Sequence, residues 1–490
     1  MKDPRPVIPL AGPALLGVLL MVCSAAHAGG QERFRRTPPL PDAFRELRLP
    51  AIESFPLPNG LTVAVTSRPG SPVTTIQLVI LAGESDSPRG TPFLATLTAR
   101  MIGRGALGLS ADDIEQEMDA MGSDFSATVS PDYTVLTFHV LSEYLDRTLA
   151  LLRLMVLQSE FKEQEVSTAK RIYSYELREM ERNPEYTGQR QLFRVLFEGH
   201  PYYSSTYSWD VVKYISAKDV QAFFARHYAP NNAVLILSGD VDGQAVARKI
   251  GQQFAPWVRR EVDRPPLPSP APNAKERVCF IDHPTSEEFV IFLGNLVMPP
   301  MSPDYYPFLV LNQVLGGTMG SRLFMNLRES KGYAYEAFSE AQFFRACGVY
   351  WAKLKVAPET IHLAVQEVVK EMRALATEKA VPEEIEQAKS FLIGNLPLKL
   401  ESFEGYGETL AQVVALGLGA GHWNKASDNL MLVNGERVLE AAQRYFPPAP
   451  VVVIVGNRAW AEQALREFSF VEVYDSTGAL KMTLGKGAEK

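Results

Sequence analysis

The sequence predicts an α+β fold built from two homologous, duplicated domains, each a mostly antiparallel sheet packed with helices. Segments with strand and helix periodicity come in groups, without the regular alternation that a doubly wound sheet requires. Several short segments also recur in the same order at separations of about 215 to 220 residues. One such coincidence means little, but several in the same order indicate an internal duplication.

The repeated segments share a recognisable pattern. The clearest repeat is a capped amphipathic helix, a proline turn and a short β-branched strand that ends near glycine. An earlier helix and the tripeptide P-F-L, which opens an apolar helix, also occur in both halves. The paired segments are 216–240 with 434–457, 161–172 with 381–392, and P-F-L at 92–94 with P-F-L at 307–309.

Hydrophobic periodicity assigns the main elements of the first half. Residues 61–65, 75–80 and 134–141 alternate between apolar and polar or run apolar, as β-strands do. Leucines at helical spacing predict a helix over 145–157. Each half therefore combines strands and helices.

A proline-rich run separates the two halves. Residues 265–272 read P-P-L-P-S-P-A-P, a composition that resists helix and sheet and acts as a semi-rigid spacer. We therefore predict an N-terminal domain over 51–258, a linker over 259–276 and a C-terminal domain over 277–470. The polar residues 471–490 carry no motif and are assigned to a tail.

The N-terminus has the parts of a secretory signal peptide. Lys2 and Arg5 precede an apolar run over 15–22, and A-H-A at 26–28 fits a small-residue cleavage site. We therefore predict a signal peptide over 1–28 and a periplasmic or secreted protein.

Two other interpretations of the N-terminus stay open. The apolar run could serve as a single membrane anchor, although it is short for a span of ~20 residues. Cys23 could be lipidated, although Leu20-Met21-Val22 lacks the small residue expected beside a lipidated cysteine. Residues 29–50 are rich in Arg and Pro and predict an extended lead-in. No later segment is apolar for long enough to cross a bilayer, so no integral membrane span is expected after cleavage.

Composition narrows the class of function. The 490 residues are 46% hydrophobic and 21% charged, which suits a folded protein of two or more domains. A net charge of −7 gives no electrostatic support for binding nucleic acid. After signal cleavage, Cys279 and Cys347 would be the remaining cysteines, and the sequence leaves open whether they pair.

A glycine-rich stretch begins at Leu315 and reads L-G-G-T-M-G-S-R-L-F-M-N-L-R-E-S-K-G-Y-A-Y. It is not a phosphate-binding loop, because neither a Lys-Ser/Thr pair nor a G-x-G-x-x-G layout is present. The glycines are instead predicted to end one helix, over 310–315, and to permit a sharp entry into the next, over 321–331.

Arg328 and Tyr335 follow these glycines. Arg328 is predicted at the edge of the apolar stripe of the second helix. Tyr333 and Tyr335 occupy alternate positions of a predicted strand and so share a face. By themselves these residues indicate only a surface arginine and a half-buried tyrosine.

The string G-G-T-M-G-S-R-L-F-x-x-L-R-E-x-x-G-x-A-Y resembles the C-terminal-domain signature of the pitrilysin/insulinase superfamily of zinc peptidases, which includes the mitochondrial processing peptidases. The resemblance extends from about Phe55 to Asn457 and includes the duplicated halves. It implies that Arg328 and Tyr335 contact the substrate backbone near the scissile bond. A guanidinium and a phenol are suitable donors to a carbonyl or a developing oxyanion.

The zinc motif of this superfamily, H-x-x-E-H, is degenerate here. The resemblance places Thr96, Ala99 and Arg100 at the His, Glu and His positions, and Glu176 at the position of the distant glutamate ligand. These side chains cannot replace two imidazoles and a carboxylate base, and Arg100 brings a permanent positive charge. We expect no metal in this chain and predict an Arg100–Glu176 ion pair instead. No two histidines of the sequence lie three to five residues apart, and G-x-S-x-G is absent.

The superfamily divides labour between a zinc-bearing chain and a partner that lacks zinc. The resemblance therefore implies a zinc-less subunit of a secreted or periplasmic heteromeric metallopeptidase, inactive alone. Its two domains would form half of a clamshell around a peptide or a small unfolded protein. It would bind no cofactor itself, and the zinc would belong to a homologous partner subunit.

Two alternatives remain at the level of sequence. One is a non-catalytic peptide-binding or scaffold subunit with no turnover. The other is an autonomous peptidase with unorthodox metal ligands, which the residues at the degenerate motif disfavour.

Overall fold

A computed structural model describes residues 52–264, 266–271, 277–419, 421–446 and 450–485. The signal peptide, Cys23 and the lead-in predicted for 1–50 lie outside the described residues, as does part of the linker.

The strands within the described residues fall into a first and a second group along the chain. The first group comprises β1 (Glu53–Pro56), β2 (Thr62–Ser67), β3 (Val73–Ile80), β4 (Gly105–Ala106), β5 (Leu109–Ser110), β6 (Asp124–Val129), β7 (Thr134–Leu141) and β8 (Ala233–Gly239). The second comprises β9 (Val278–Asp282), β10 (Phe289–Val297), β11 (Ala334–Phe343), β12 (Gly348–Val356), β13 (Val451–Gly456), β14 (Phe470–Tyr474) and β15 (Leu480–Gly485).

The α-helices of the described residues follow the same division. They are α1 (Leu94–Met101), α2 (Ala111–Ala120), α3 (Leu145–Leu157), α4 (Glu163–Met180), α5 (Pro184–Leu196), α6 (Ala217–His227), α7 (Gly243–Gln253), α8 (Tyr305–Gly316), α9 (Ile361–Thr377), α10 (Pro382–Glu401), α11 (Phe403–Leu416), α12 (Ala426–Met431), α13 (Gly435–Tyr445) and α14 (Arg458–Leu465). None of these described helices combines the length and the apolar character needed to span a bilayer.

Each half contains one large, mostly antiparallel sheet, which confirms the predicted α+β class. In the first half the described strands are ordered β1-β2-β8-β3-β7-β6, and only β2 and β8 run parallel. In the second half the order is β11-β12-β10-β13-β9-β14-β15, with β9 parallel to both of its neighbours. The edge strands are thus β1 and β6 in the first sheet and β11 and β15 in the second.

Local periodicity predicted several elements correctly. The strand Thr134–Leu141 and the helix Leu145–Leu157 have the predicted bounds, and the other two predicted strands differ by one or two residues at their ends. The repeated helix–strand unit is also present in both halves. Ser216 caps α6 before β8, and Asn434 caps α13 before β13, each through a side-chain oxygen that accepts a backbone N–H.

The residues assigned to a tail extend the second sheet. β14 pairs with β9, and β15 pairs with β14. Val471 and Val473 are almost fully buried and alternate with the less buried Glu472, which is the pattern of a strand with one core face. The second domain therefore continues at least to Gly485, beyond the predicted boundary at 470.

Each half also contains a helix that packs on the sheet of the other half. Helix α5, from the first half, packs on β10 and β13, where its Leu192 lies in one cluster with Phe292 and Val453. Helix α11, from the second half, packs on β3 and β8, where its Tyr406 lies in one cluster with Val79. The predicted domain of 51–258 therefore contains a helix whose apolar face belongs to the other core.

The two described cysteines do not form a disulfide. Cys279 and Cys347 are both free and buried within the second half. Burial raises the pKa of each thiol to about 12, which keeps both protonated and unreactive at neutral pH.

Candidate functional site

Helix α1 carries the positions of the degenerate zinc motif, and it begins without a local cap. Phe93, at its N-cap, adopts a left-handed conformation (φ 65°) and provides no side-chain hydrogen bond. The free N–H groups of the first turn are satisfied from a preceding 3₁₀ turn: Ala95 N donates to Ser87 Oγ (3.0 Å), and Thr96 N donates to Glu84 Oε2 (3.2 Å). A buried carboxylate therefore occupies the positive end of the helix dipole.

Thr96 directs its hydroxyl to the same carboxylate. Thr96 Oγ1 donates to Glu84 Oε2 at 2.7 Å, and Ser87 Oγ donates to Glu84 Oε1 at 2.8 Å. Burial raises the pKa of Glu84 above its ordinary value of 4.5, although these hydrogen bonds oppose the shift. Sequence reasoning missed Glu84, because a glutamate twelve residues before its helical partner has no local capping signature.

The predicted Arg100–Glu176 ion pair is present. Arg100 Nη1 lies 3.1 Å from Glu176 Oε1, and Arg100 Nη2 lies 2.6 Å from Glu176 Oε2, so the pair is bidentate. The guanidinium also lies over the ring of Tyr173, 4.4 Å from its centroid. The side chains are 34% and 41% exposed, so the pair is open to solvent on one side.

These residues do not fit a zinc ion. The Thr96 hydroxyl is engaged by Glu84, Ala99 is fully buried and offers no ligand atom, and Arg100 is a cation. Both carboxylate oxygens of Glu176 already accept from Arg100. Within the described ranges, no three His, Cys, Asp or Glu side chains are grouped so that they could hold a metal. Zinc in proteins requires three or four such ligands.

Arg328 lies on a π-helix, where the sequence predicts an ordinary helix over 321–331. The π-helix spans Phe324–Ser330, a rare conformation that is frequent at functional sites. The Arg328 guanidinium lies 4.8 Å from the centroid of the Phe324 ring and 3.9 Å from Glu329 Oε1. Its side chain is 48% exposed, so the guanidinium is available to a ligand.

The turn after the π-helix fixes the start of β11. Gly332 has a φ of +64°, which a residue with a side chain adopts only at a cost. Tyr333 N then donates to Leu327 O at 2.7 Å, and Thr360 Oγ1 donates to Tyr333 O at 2.8 Å. These bonds connect the π-helix firmly to the strand.

Tyr335 is displayed by a β-bulge. Opposite β12, Ala334 pairs with Val356 and Glu336 pairs with Lys355, so Tyr335 is the extra residue. Its side chain is 68% exposed. The predicted shared face with Tyr333 is wrong, because Tyr333 precedes the strand and packs against the core.

A cluster of four charges lies next to the bulge and was not predicted. Lys355 Nζ lies 3.2 Å from Glu336 Oε1 and 2.8 Å from Glu185 Oε1, and Lys353 Nζ lies 2.9 Å from Glu185 Oε2. Burial alone would raise the pKa of Glu185, but the two lysines hold it below its ordinary value. Since Glu185 is on α5, the cluster ties the Tyr335 bulge to a helix from the first half.

Comparison with known proteins agrees with this fold. The family model described as "Insulinase (Peptidase family M16)" matches residues 62–208, and the model described as "Peptidase M16 inactive domain" matches residues 214–392. The chain therefore belongs to the M16, or insulinase, family within the pitrilysin/insulinase superfamily.

Individual relatives include proteins named as proteases and one named as a non-peptidase. An "Uncharacterized zinc protease" of Rickettsia bellii is 23% identical over 402 residues, which cover 82% of this chain and 96% of the relative. The "Non-peptidase homolog YmxG" of Helicobacter pylori is 24% identical over 353 residues, which cover 71% of this chain and 80% of the relative.

Solved structures show the same fold. A crystal structure described as a peptidase M16 inactive domain, from Pseudomonas fluorescens, has a TM-score of 0.76 at 23% identity and covers 83% of this chain and 98% of that one. A structure described as a protease from Helicobacter pylori has a TM-score of 0.76 at 20% identity and covers 83% and 100%. The degenerate motif agrees with the description of the C-terminal family model as an inactive domain and with the name of the non-peptidase relative.

Proposed function

We propose that this chain is the zinc-less subunit of a heteromeric M16 peptidase. Arg328 and Tyr335 bind the backbone of a peptide or small unfolded protein at a site whose zinc and general base belong to a homologous partner subunit. The chain binds no cofactor and hydrolyses nothing alone. The observation that carries this proposal is the bidentate Arg100–Glu176 pair at the metal position, in a chain that still exposes Arg328 and Tyr335.

Exposed apolar side chains beside Arg328 support a role in substrate binding. Met325, on the same π-helix, is 50% exposed, and Met319, in the preceding glycine-rich loop, is 69% exposed. Flexible methionine side chains adapt to varied partners, which suits the binding of unfolded chains.

The first test is whether an adjacent reading frame encodes an M16 protein of similar size with H-x-x-E-H. If it does, the two chains are co-purified and assayed for peptide cleavage. Arg328→Ala and Tyr335→Phe each remove one donor, and we expect each to lower kcat/KM of the mixed complex by about a hundredfold. Controls are Arg466→Ala and Tyr214→Phe, which alter exposed side chains elsewhere. They should leave turnover unchanged.

Three results would count against the proposal. Unchanged turnover with Arg328→Ala and Tyr335→Phe would show that these residues do not bind substrate at a shared site. Chelator-sensitive cleavage by the isolated chain would show an autonomous enzyme. A stable complex that never cleaves peptide would instead favour the scaffold role.

We also propose that the protein is periplasmic or secreted, on the strength of the signal peptide over 1–28. N-terminal sequencing of the exported protein should begin at Gly29. A chain that retains Met1 would contradict this location.

A further inference from the structure

A glutamate of the neighbouring helix α9 contacts the π-helix that carries Arg328. Glu367 Oε2 accepts a hydrogen bond from Asn326 Nδ2 at 3.1 Å, and Glu367 Oε1 forms an ion pair with Lys331 Nζ. The Glu367 side chain is 17% exposed, so both contacts lie partly out of water. One carboxylate therefore bridges two residues that lie five positions apart, on either side of Arg328 in the sequence.

The spacing of five residues distinguishes a π-helix from an α-helix. Lys331 N donates to Asn326 O at 3.1 Å, so the main chain brings the same two residues together. Five residues of an α-helix instead turn through about 500°, which leaves the first and the last roughly 140° apart around the axis. The side-chain bridge through Glu367 thus matches the π conformation and fits an α-helix poorly.

The groups around Glu367 keep its carboxyl ionised. The hydrogen bond from Lys331 holds the pKa of Glu367 below its ordinary value of 4.5, and Asn326 and Lys370 act in the same direction, although burial opposes them. Glu371, one turn further along α9, also accepts from Asn326 Nδ2, at 2.6 Å. Asn326 therefore donates to two carboxylates of α9, and hydrogen bonds to ionised acceptors are stronger than those to neutral ones.

We propose that Glu367 is a positioning residue, which holds Phe324–Ser330 in the π conformation and thereby fixes the direction of Arg328. Conversion of this segment to an α-helix would displace one residue, which corresponds to about 100° of rotation around the axis. Thr360 Oγ1 holds Tyr333 O at the start of β11, so the strand would not follow this rotation. Arg328 would then point in a different direction relative to Tyr335. The role of Glu367 in substrate binding rests on the proposed function, whereas its role in the π-helix does not.

The first test measures hydrogen exchange in the isolated full chain by mass spectrometry. Glu367→Ala removes the bridge, and Lys331→Met removes one of its two contacts and keeps most of the bulk. We expect each to speed exchange of the Lys331 and Tyr333 amides by about tenfold or more, with exchange in the core strand β10 unchanged. Lys370→Met is the matched control, because Lys370 lies 3.6 Å from Glu367 Oε2 and is 69% exposed. It should leave exchange of both amides unchanged.

The second test uses the mixed complex with the zinc-bearing partner. Glu367→Ala should lower kcat/KM by about ten- to a hundredfold in the wild-type background, because a misdirected Arg328 loses its contact with the substrate. It should have no further effect when Arg328→Ala is already present. A residue that only stabilised the fold would lower turnover equally in both backgrounds.

Unchanged exchange in Glu367→Ala and Lys331→Met overturns the proposal, and Lys331→Met decides alone if Glu367→Ala does not fold. An equal loss of turnover with and without Arg328→Ala also overturns it, because the effect would not pass through Arg328. If Arg328→Ala itself leaves turnover unchanged, the proposed function fails. Faster exchange in the isolated chain still supports the role of Glu367 in the π-helix in that case.

Discussion

Glu84 shows how a single residue can hold the helix of the degenerate motif. Its carboxylate accepts from Thr96 N and Thr96 Oγ1 and from Ser87 Oγ, all within the first half. It thus accepts hydrogen bonds from a backbone N–H in the first turn of α1 and from the hydroxyl of Thr96. The resemblance places Thr96 at the first histidine of the zinc motif. Arg100 forms a bidentate pair with Glu176, so both oxygens of the carboxylate at the distant-ligand position already accept hydrogen bonds. The site is stabilised by hydrogen bonds and an ion pair.

The buried carboxylate predicts a specific pH dependence. Since burial raises the pKa of Glu84 above 4.5, the folded state binds more protons than the unfolded state at pH values between 4.5 and the folded-state pKa. Its contribution to stability is therefore complete below pH 4.5 and is lost as the pH rises through the folded-state pKa. Glu84→Gln removes this titration and keeps the size of the side chain.

Urea unfolding of the wild type and Glu84→Gln between pH 4 and pH 8 measures the effect. The free energy of unfolding of the wild type minus that of the variant should fall as the pH rises. Other titrating groups are common to both proteins and cancel in the difference. A difference that is constant, or that grows with pH, would show that the Glu84 carboxyl does not titrate as its burial requires.

At the scale of elements, the two halves are joined by exchanged helices. Helix α5 places Gly188 against the second sheet so closely that an added Cβ would lie 2.5 Å from Phe292 Cε2 and 3.0 Å from Val455 Cγ2. Helix α10 contains another glycine, Gly394, which is exposed and whose added Cβ would meet nothing within 4 Å. The first glycine is required by packing, and the second is not.

The pair gives a matched test of the exchanged packing. Gly188→Ala should destabilise the protein by about 1–3 kcal/mol, because the methyl group overpacks the contact with the second sheet. Gly394→Ala should stabilise it by about 0.5–1 kcal/mol through helix propensity alone. Denaturant unfolding measures both. Similar effects of the two substitutions would contradict the close contact between α5 and the second sheet.

The elements also show which features a sequence can predict. The strand Thr134–Leu141 and the helix Leu145–Leu157 were predicted with their true ends, because their periodicity is local. The docking of α5 was not predicted, because its apolar stripe does not say which sheet it covers. The strand Phe470–Tyr474 was not predicted, because the segment from 471 onward is polar and was assigned to a tail.

The candidate site also has features that the sequence predicted and features that it did not. The Arg100–Glu176 pair was predictable, because the resemblance supplied the spacing and opposite charges supplied the contact. The π-helix under Arg328 was not predictable, because its apolar pattern is that of an ordinary helix, and neither was the bulge at Tyr335, which depends on pairing with β12. Capping of α1 by Glu84 is likewise a contact between two elements rather than a local motif.

At the scale of the whole molecule, the two homologous halves differ in their candidate site residues. The first half has Thr96, Ala99 and Arg100 where the resemblance places two histidine ligands and the glutamate base. The second half exposes Arg328 and Tyr335 on a π-helix and a bulge. Exchanged helices and the ion pair between Glu185 and Lys355 connect the halves, so the element that carries Tyr335 is fixed in part by a helix from the first half.

The most direct test of this account is the zinc content of the purified full chain, measured by inductively coupled plasma mass spectrometry after extensive dialysis. A family peptidase with H-x-x-E-H, purified in the same way, is the positive control and should retain about one zinc per chain. We predict that this chain retains far less than one, because Arg100 pairs with Glu176 where a zinc ion would lie. A dialysis-resistant zinc in every chain would contradict the account.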